Sequence, residues 1–320
     1  MALIMTKNKE NLIQFRYVER LSITVILITL SVDLMLIYWK GAQIDWYAYA
    51  KLSGLCLLII AGGIVYRVID RSERIASTLI CSGLLVAFSM VLALFNYLLL
   101  PVSAPFIDVY IAKADAILGF HWPDIMIWAS KHPIISVILK ISYMSTMAQL
   151  SILIALLGLT GRRQQMDVLL LTVIISATIA ICFWGLFPSS GAMSVHNLPA
   201  EIEMAVAPVV GQEYGAELRR IATEGPGVIA PYEIRGLIGF PSYHASLAFV
   251  ALFASFAIKR VFPIFLILNL LILPATLIHG GHHLLDLFAG FLLFWGTWMV
   301  AKYMIQKNAT MENLPQIVAA

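Results

Sequence analysis

Residues 239–246 read GFPSYHAS, and residues 277–290 read LIHGGHHLLDLFAG. Each stretch places a histidine where an apolar helix is expected to begin: His244 ahead of 247–258, and His282 with Asp286 at the head of 284–305. His282 and Asp286 are four apart, so on a helix they share a face and can touch. Phosphoester transfer through an enzyme intermediate needs a nucleophile, a proton donor for the leaving oxygen, and cations or N–H groups around the phosphate. A neutral imidazole with a carboxylate on its other nitrogen meets the first need, because the carboxylate fixes the tautomer and stabilises the cation that forms. His282 and Asp286 supply that pair. His244 suits the second need, since imidazole titrates near neutrality. Two helices starting beside one anion would present unpaired N–H groups twice, with Ser242 as cap or phosphate ligand.

Elements must bring these stretches together, and the composition says which kind. The 320 residues are 61% hydrophobic and 12% charged, about half the charged fraction of a soluble domain. With repeated apolar runs near span length, this is a polytopic membrane protein. A formal charge of +3 is too small to suggest nucleic acid as a partner. Cys56, Cys81 and Cys182 lie in apolar runs and form no CxxC pair or disulfide framework. The basic N-terminus before a long apolar run that contains Asp33 reads as a retained first span, not a signal peptide.

Eight spans are expected, over 21–38, 47–66, 75–100, 134–159, 168–187, 245–258, 264–278 and 284–305. With the N-terminus inside, the short inner segments are uniformly basic: Lys7, Lys9, Arg16 and Arg20; Arg67, Arg71 and Arg74; Arg162 and Arg163; Lys259 and Arg260; Lys302 and Lys307. That satisfies the positive-inside rule. It places both termini in the cytoplasm and His244 and His282 together at the outer face, the periplasmic one if the membrane is a bacterial inner membrane. Two outer segments are long. Residues 101–133, with Trp122 and Trp128, suggest an amphipathic helix at the interface. The second, 188–238, is polar and leads into the first motif; an outer helix over 201–221 is one reading of it. Asp33 and Lys140 are isolated within spans, and pairing is the reading taken for them. No internal repeat is evident.

PSYH followed by GGHHLLDLFAG resembles the type 2 phosphatidic acid phosphatase superfamily, and more closely the branch that contains inositol phosphorylceramide synthases and their inositolphosphotransferase-like bacterial relatives. The likeness covers 240–290, with Phe187–Pro188 a weaker echo. It implies a six-helix, metal-free catalytic core, with His282 as the nucleophile that forms phosphohistidine, Asp286 as its partner and His244 as the acid. It also implies that Ser242 and nearby backbone bind phosphate. The division expected is a tail and two spans over 1–74, a catalytic core over 75–306 that includes the outer loops 101–133 and 188–238, and a cytoplasmic tail over 307–320. The sequence departs from the wider family in its cations. The Ser-Arg pair ahead of the nucleophile is Ala275 and Thr276 here, the outer KxxxxxxRP motif has no counterpart, and Tyr243 stands where the phosphatase pattern has glycine. The synthase branch also lacks that Ser-Arg pair. Tyr243, Arg235, Arg219 and Arg220 are therefore the substitute phosphate-binding candidates, against the plainer reading of the arginines as a solvated, ion-paired loop.

His279, His282 and His283 also spell HxxHH, the form of a di-iron box. The other histidines, His121, His132 and His196, are scattered, and no second box exists. No metal or cofactor is expected, and His279 and His283 read as residues supporting the site or capping a helix. The expected substrates are a lipid phosphate or phospholipid in the bilayer, with water or an alcohol as acceptor. A non-catalytic transporter or lipid scaffold is the alternative, and the absence of broken helix pairs or repeat halves speaks against it.

Overall fold

Apolar runs in a bilayer fold as helices because each backbone N–H and C=O must be satisfied within its own segment. The computed structural model describes residues 15–318, with side chains to 311; Lys7 and Lys9 lie outside the described residues. Three long helices come first, α1 (Tyr17–Lys40), α2 (Trp46–Val68) and α3 (Glu73–Leu98). Two short ones follow, α4 (Asp108–Ile117) and α5 (Trp122–Ser130), then α6 (Pro133–Met144), α7 (Thr146–Leu159) and α8 (Arg163–Leu186). The second long insertion holds α9 (Ala200–Val206) and α10 (Gln212–Glu224), and the chain closes with α11 (Tyr243–Ser255), α12 (Phe262–Ile278) and α13 (Leu284–Val318). Among the described residues there is no strand, only an isolated bridge between Ile44 and Ile229.

This is an all-α polytopic membrane protein. Five helices, α1, α2, α3, α8 and α13, are long and apolar enough to cross a bilayer, and α5 with α6 makes a sixth candidate bent by 115°, a broken helix pair where the sequence reading expects none. The sequence reading expects eight. The difference lies in α7, α11 and α12, whose 14, 13 and 17 residues fall short of the ~20 that a straight crossing takes. The span expected over 134–159 is interrupted at Ser145. There Ser142, Ser145 and Thr146 each turn a hydroxyl back onto a carbonyl three or four residues earlier, a local bond that competes with the helix ladder. The break leaves Tyr143 at the end of α6.

α1 and α2 are peripheral; Leu27, Leu57 and Leu58 face outward, as lipid-facing side chains do. α2 meets α3 where Gly63 and Gly83 leave no room for a side chain, the close helix approach that small residues permit in membranes. At one end of these three helices Arg67 forks onto Glu19 at 2.7 and 2.8 Å and also binds Glu73. α8 is the buried centre. Leu169, Leu170, Ile174 and Ile181 pack with Phe88 of α3, Leu153 of α7, Val250 of α11 and Phe294 of α13.

Four further expectations are corrected. Residues 101–133 do not form one interfacial helix. They form α4 and α5, and Trp122 is buried with its indole N–H donated to Leu277 O at 2.8 Å. The helix expected over 201–221 is two helices, α9 and α10, separated by 207–211, where Ala207 turns left-handed before Pro208. Asp33 and Lys140 do not pair: Lys140 Nζ donates to Ala207 O at 2.7 Å, and both Asp33 oxygens lack a partner among the described residues. Beyond Lys307, where a tail is expected, α13 continues to Val318.

Candidate active site

The two motifs meet at one end of the bundle. Ser242 caps α11, its Oγ accepting Ala245 N–H at 3.4 Å. Its own N–H donates to Asp286 O at 3.0 Å, which fixes the start of α11 against α13. His244 lies in the first turn of α11, and His282 precedes α13 by two residues. Their ring centroids are 6.5 Å apart. His282 Nδ1 lies 3.1 Å from Asp286 Oδ2, which also accepts His283 N–H at 2.8 Å. Asp286 is fully buried and His282 is 4% exposed. The carboxylate thus holds Nδ1 and leaves Nε2 as the ring's free nitrogen.

Both rings open into a cavity of about 230 Å³, walled by Tyr143, Ser190, Gly191, Tyr214, Gly239 and Gly280 among others. No sequence motif marks Tyr143. Its ring stacks on His244 at 4.3 Å, and its hydroxyl lies 3.4 Å from His244 Nδ1. A phenol can accept from Nδ1–H or donate to Nδ1, so it tolerates both protonation states and leaves His244 Nε2 to exchange a proton. Gly280 must be small, since a Cβ there would press on Tyr143 and His282.

The long insertions close the site. Ala192 N–H donates to Gly281 O at 2.7 Å, and Val210 N–H to His279 O at 2.8 Å. Gly191 makes that first contact possible, with φ +89° and no side chain to strike Gly281. α4 supplies two aspartates that the sequence reading passed over. Asp108 accepts Ser189 Oγ at 2.7 Å, Ser190 N–H at 3.0 Å and Gly191 N–H at 2.8 Å. Asp115 accepts the N–H groups of Leu284 and Leu285 at 2.9 and 3.0 Å. His283 lies between them, Nε2 at 3.7 Å from Asp108 and Nδ1 at 3.5 Å from Asp115. Burial pulls its pKa down, but the two carboxylates outweigh that and push it up to about 9. Burial also works to raise Asp108, yet His283 and the 189–191 donors hold it below the usual carboxylate range. The signal was available: two aspartates seven apart lie on one face of a helix.

The picture of two open helix starts therefore needs correction. Asp115 occupies the first N–H groups of α13. The first turn of α11 stays open, since Tyr243 and His244 N–H have no intrahelical acceptor.

The other candidates are spread more widely. Tyr243 points away from the cavity, its hydroxyl donating to Val173 O on α8 at 3.3 Å. Arg220 faces outward, paired with Glu217 and Glu224. Arg219 sits one layer behind the wall, donating to Ser190 Oγ at 3.2 Å and Ser194 O at 2.8 Å. Arg235 lies over the Tyr214 ring, 5.3 Å from its centroid, in a neighbouring cavity of about 490 Å³ that shares Tyr214 and Val209 with the first. His279 is buried, its Nε2 2.8 Å from Ser136 O. Arg220→Ala should leave turnover within about twofold of wild type, as exposed ion pairs contribute little; a loss above tenfold in kcat/KM would contradict this placement.

The PAP2 superfamily matches residues 109–300, more than half of the chain, which takes in α5–α12 whole, α4 after Asp108 and α13 to residue 300. The chain belongs to the PAP2 superfamily. No curated protein and no solved structure matches it. Membership makes it a membrane enzyme of the phosphatase or phosphotransferase type, acting on lipid phosphate substrates in the bilayer. The PAP2 match begins within α4 and leaves α1–α3 outside it.

Proposed function

We propose that this PAP2 protein transfers a phospho-headgroup from a phospholipid to an alcohol, through a phosphohistidine at His282, in the manner of the inositolphosphotransferase-like branch. The reading rests on one observation: His244 and His282, the latter held at Nδ1 by the buried Asp286, open into a single cavity. His282 Nε2 attacks phosphorus, the N–P bond forms and the P–O ester bond breaks, and His244 gives its proton to the departing oxygen. An acceptor hydroxyl then loses its proton to His244, attacks phosphorus and releases His282. Tyr243 and His244 N–H, at the start of α11, are the donors for the phosphate oxygens.

The cavity wall favours a phosphodiester over a phosphomonoester. It contains no lysine or arginine among the described residues, and Arg219 behind it spends its donors on Ser190 Oγ and Ser194 O, so a dianion would have no direct cation contact. A diester carries one negative charge. The polar headgroup fits the neighbouring cavity, where Arg235 joins Glu203 and Glu213. This reading keeps 75–306 as the catalytic core and the His244 end as the outer, periplasmic one.

The experiment is turnover of phosphatidylinositol against phosphatidic acid, with chelator present and an alcohol acceptor offered. Diester cleavage at least about tenfold faster is expected; a preference for phosphatidic acid would overturn the diester assignment. His244→Ala should cost about a hundredfold in kcat with natural substrate, the usual contribution of a general acid. Arg235→Ala should raise KM about tenfold, the cost of one charge-assisted contact, with kcat little changed; unaltered KM would remove Arg235 from the headgroup.

A further inference from the structure

Three carboxylates surround His283. Asp108 and Asp115 come from α4 and Asp286 from α13, and the imidazole between them is 1% exposed. The other titratable neighbours are His282, next in the chain, and His196 from the loop after 192–194, which interacts with both His283 and Asp115. No arginine or lysine is within ion-pair distance of Asp108 or Asp115 among the described residues. Hydrogen bonds satisfy the oxygens of Asp108 and Asp115 but leave two buried negative charges on one helix face, which a cation between them would stabilise. His283 is the group placed to be one.

The same residues reach the catalytic cavity from two directions. Through Asp108, the charge fixes the backbone of Ser190 and Gly191, which form cavity wall. Through its own N–H, His283 holds the Asp286 oxygen that orients His282. Asp115 meanwhile ties α4 to the first turn of α13.

We propose that His283 is a positioning residue, a standing cation between Asp108 and Asp115 that fastens α4 and the 189–191 wall to the loop carrying His282. It takes no part in proton transfer to substrate. The inference rests on the proposed role of His282 for its catalytic consequence, but the charge itself can be measured without any substrate. Its deprotonation frees the clamp at alkaline pH, so the wall and the nucleophile lose their shared anchor together.

The test is a titration of the seven histidine rings by NMR in lipid nanodiscs, on wild type and on Asp115→Asn. One ring should remain protonated to about pH 9 in wild type and titrate at least one unit lower in Asp115→Asn. No ring above pH 7.5 in wild type, or a high ring that Asp115→Asn leaves unmoved, would overturn the proposal, and neither outcome bears on phosphohistidine chemistry. His283→Gln should lower kcat more than it raises KM and speed backbone hydrogen exchange in 189–191. His283→Lys should recover part of both, since it restores a cation. Unchanged exchange in His283→Gln would also overturn the clamp; if that variant does not fold, the titration decides alone.

Discussion

His282→Ala should lower kcat by at least about 10⁴-fold, the scale on which removing a nucleophile from a cooperating unit acts. Without the imidazole no N–P bond can form, and the lone route left is direct attack by water or alcohol at a phosphate that is only positioned. Wild type quenched with a labelled donor should yield an acid-labile, base-stable phosphoprotein, and the variant none. Chelator should change neither result. Turnover within tenfold of wild type in His282→Ala would end the phosphohistidine reading. The Ala variant also strands Asp286 Oδ2 with only the His283 N–H, so folding must be checked alongside. Asn at position 282, which can still donate to that carboxylate, separates loss of chemistry from loss of structure.

What the sequence disclosed here follows from distance along the chain. Asp286 lies four residues from His282, and helix geometry alone brings them together. The shared face of His244 and His282 was legible because basic residues cluster in the short inner loops. Tyr143 was not legible. It meets His244, 101 residues further along the chain, only through the packing of α6 beside α11 at the mouth of the cavity, which no local pattern announces. Asp108 and Asp115 were hidden for a related reason. They lie in an insertion whose apolar residues suggested an interface helix, whereas the carboxylates point inward to backbone donors far along the chain. Arg235 and Arg220 are candidates by charge and nearness to the first motif. Charge does not reveal side-chain direction, and Arg220 spends its guanidinium on its own helix.

Asp108→Ala should destabilise the folded protein by about 3–5 kcal/mol, the range for removing one partner of a buried charged network. Four donors, the hydroxyls of Ser189 and Ser190 and the N–H groups of Ser190 and Gly191, lose their acceptor, and buried donors without acceptors are expensive. His283 keeps only one of its two flanking α4 carboxylates. Asp108→Asn should cost less, because an amide oxygen can still accept one or two of those bonds while the charge is gone. The pH dependence separates the contributions. Asp108 is held below its ordinary range, so its stabilisation is present above about pH 4 and fades as pH falls through the lower, folded value. His283 is raised, so its stabilisation is complete below about pH 6.5 and fades as pH climbs through about 9. Wild type in one detergent should therefore be most heat-resistant between about pH 4 and 6.5. Asp108→Ala should melt several degrees lower and lose much of the decline between pH 6.5 and 9, because His283 then has less reason to stay charged. A variant with wild-type melting temperature and an unchanged alkaline decline would show that Asp108 does not hold the wall, and that the charge on α4 is balanced elsewhere.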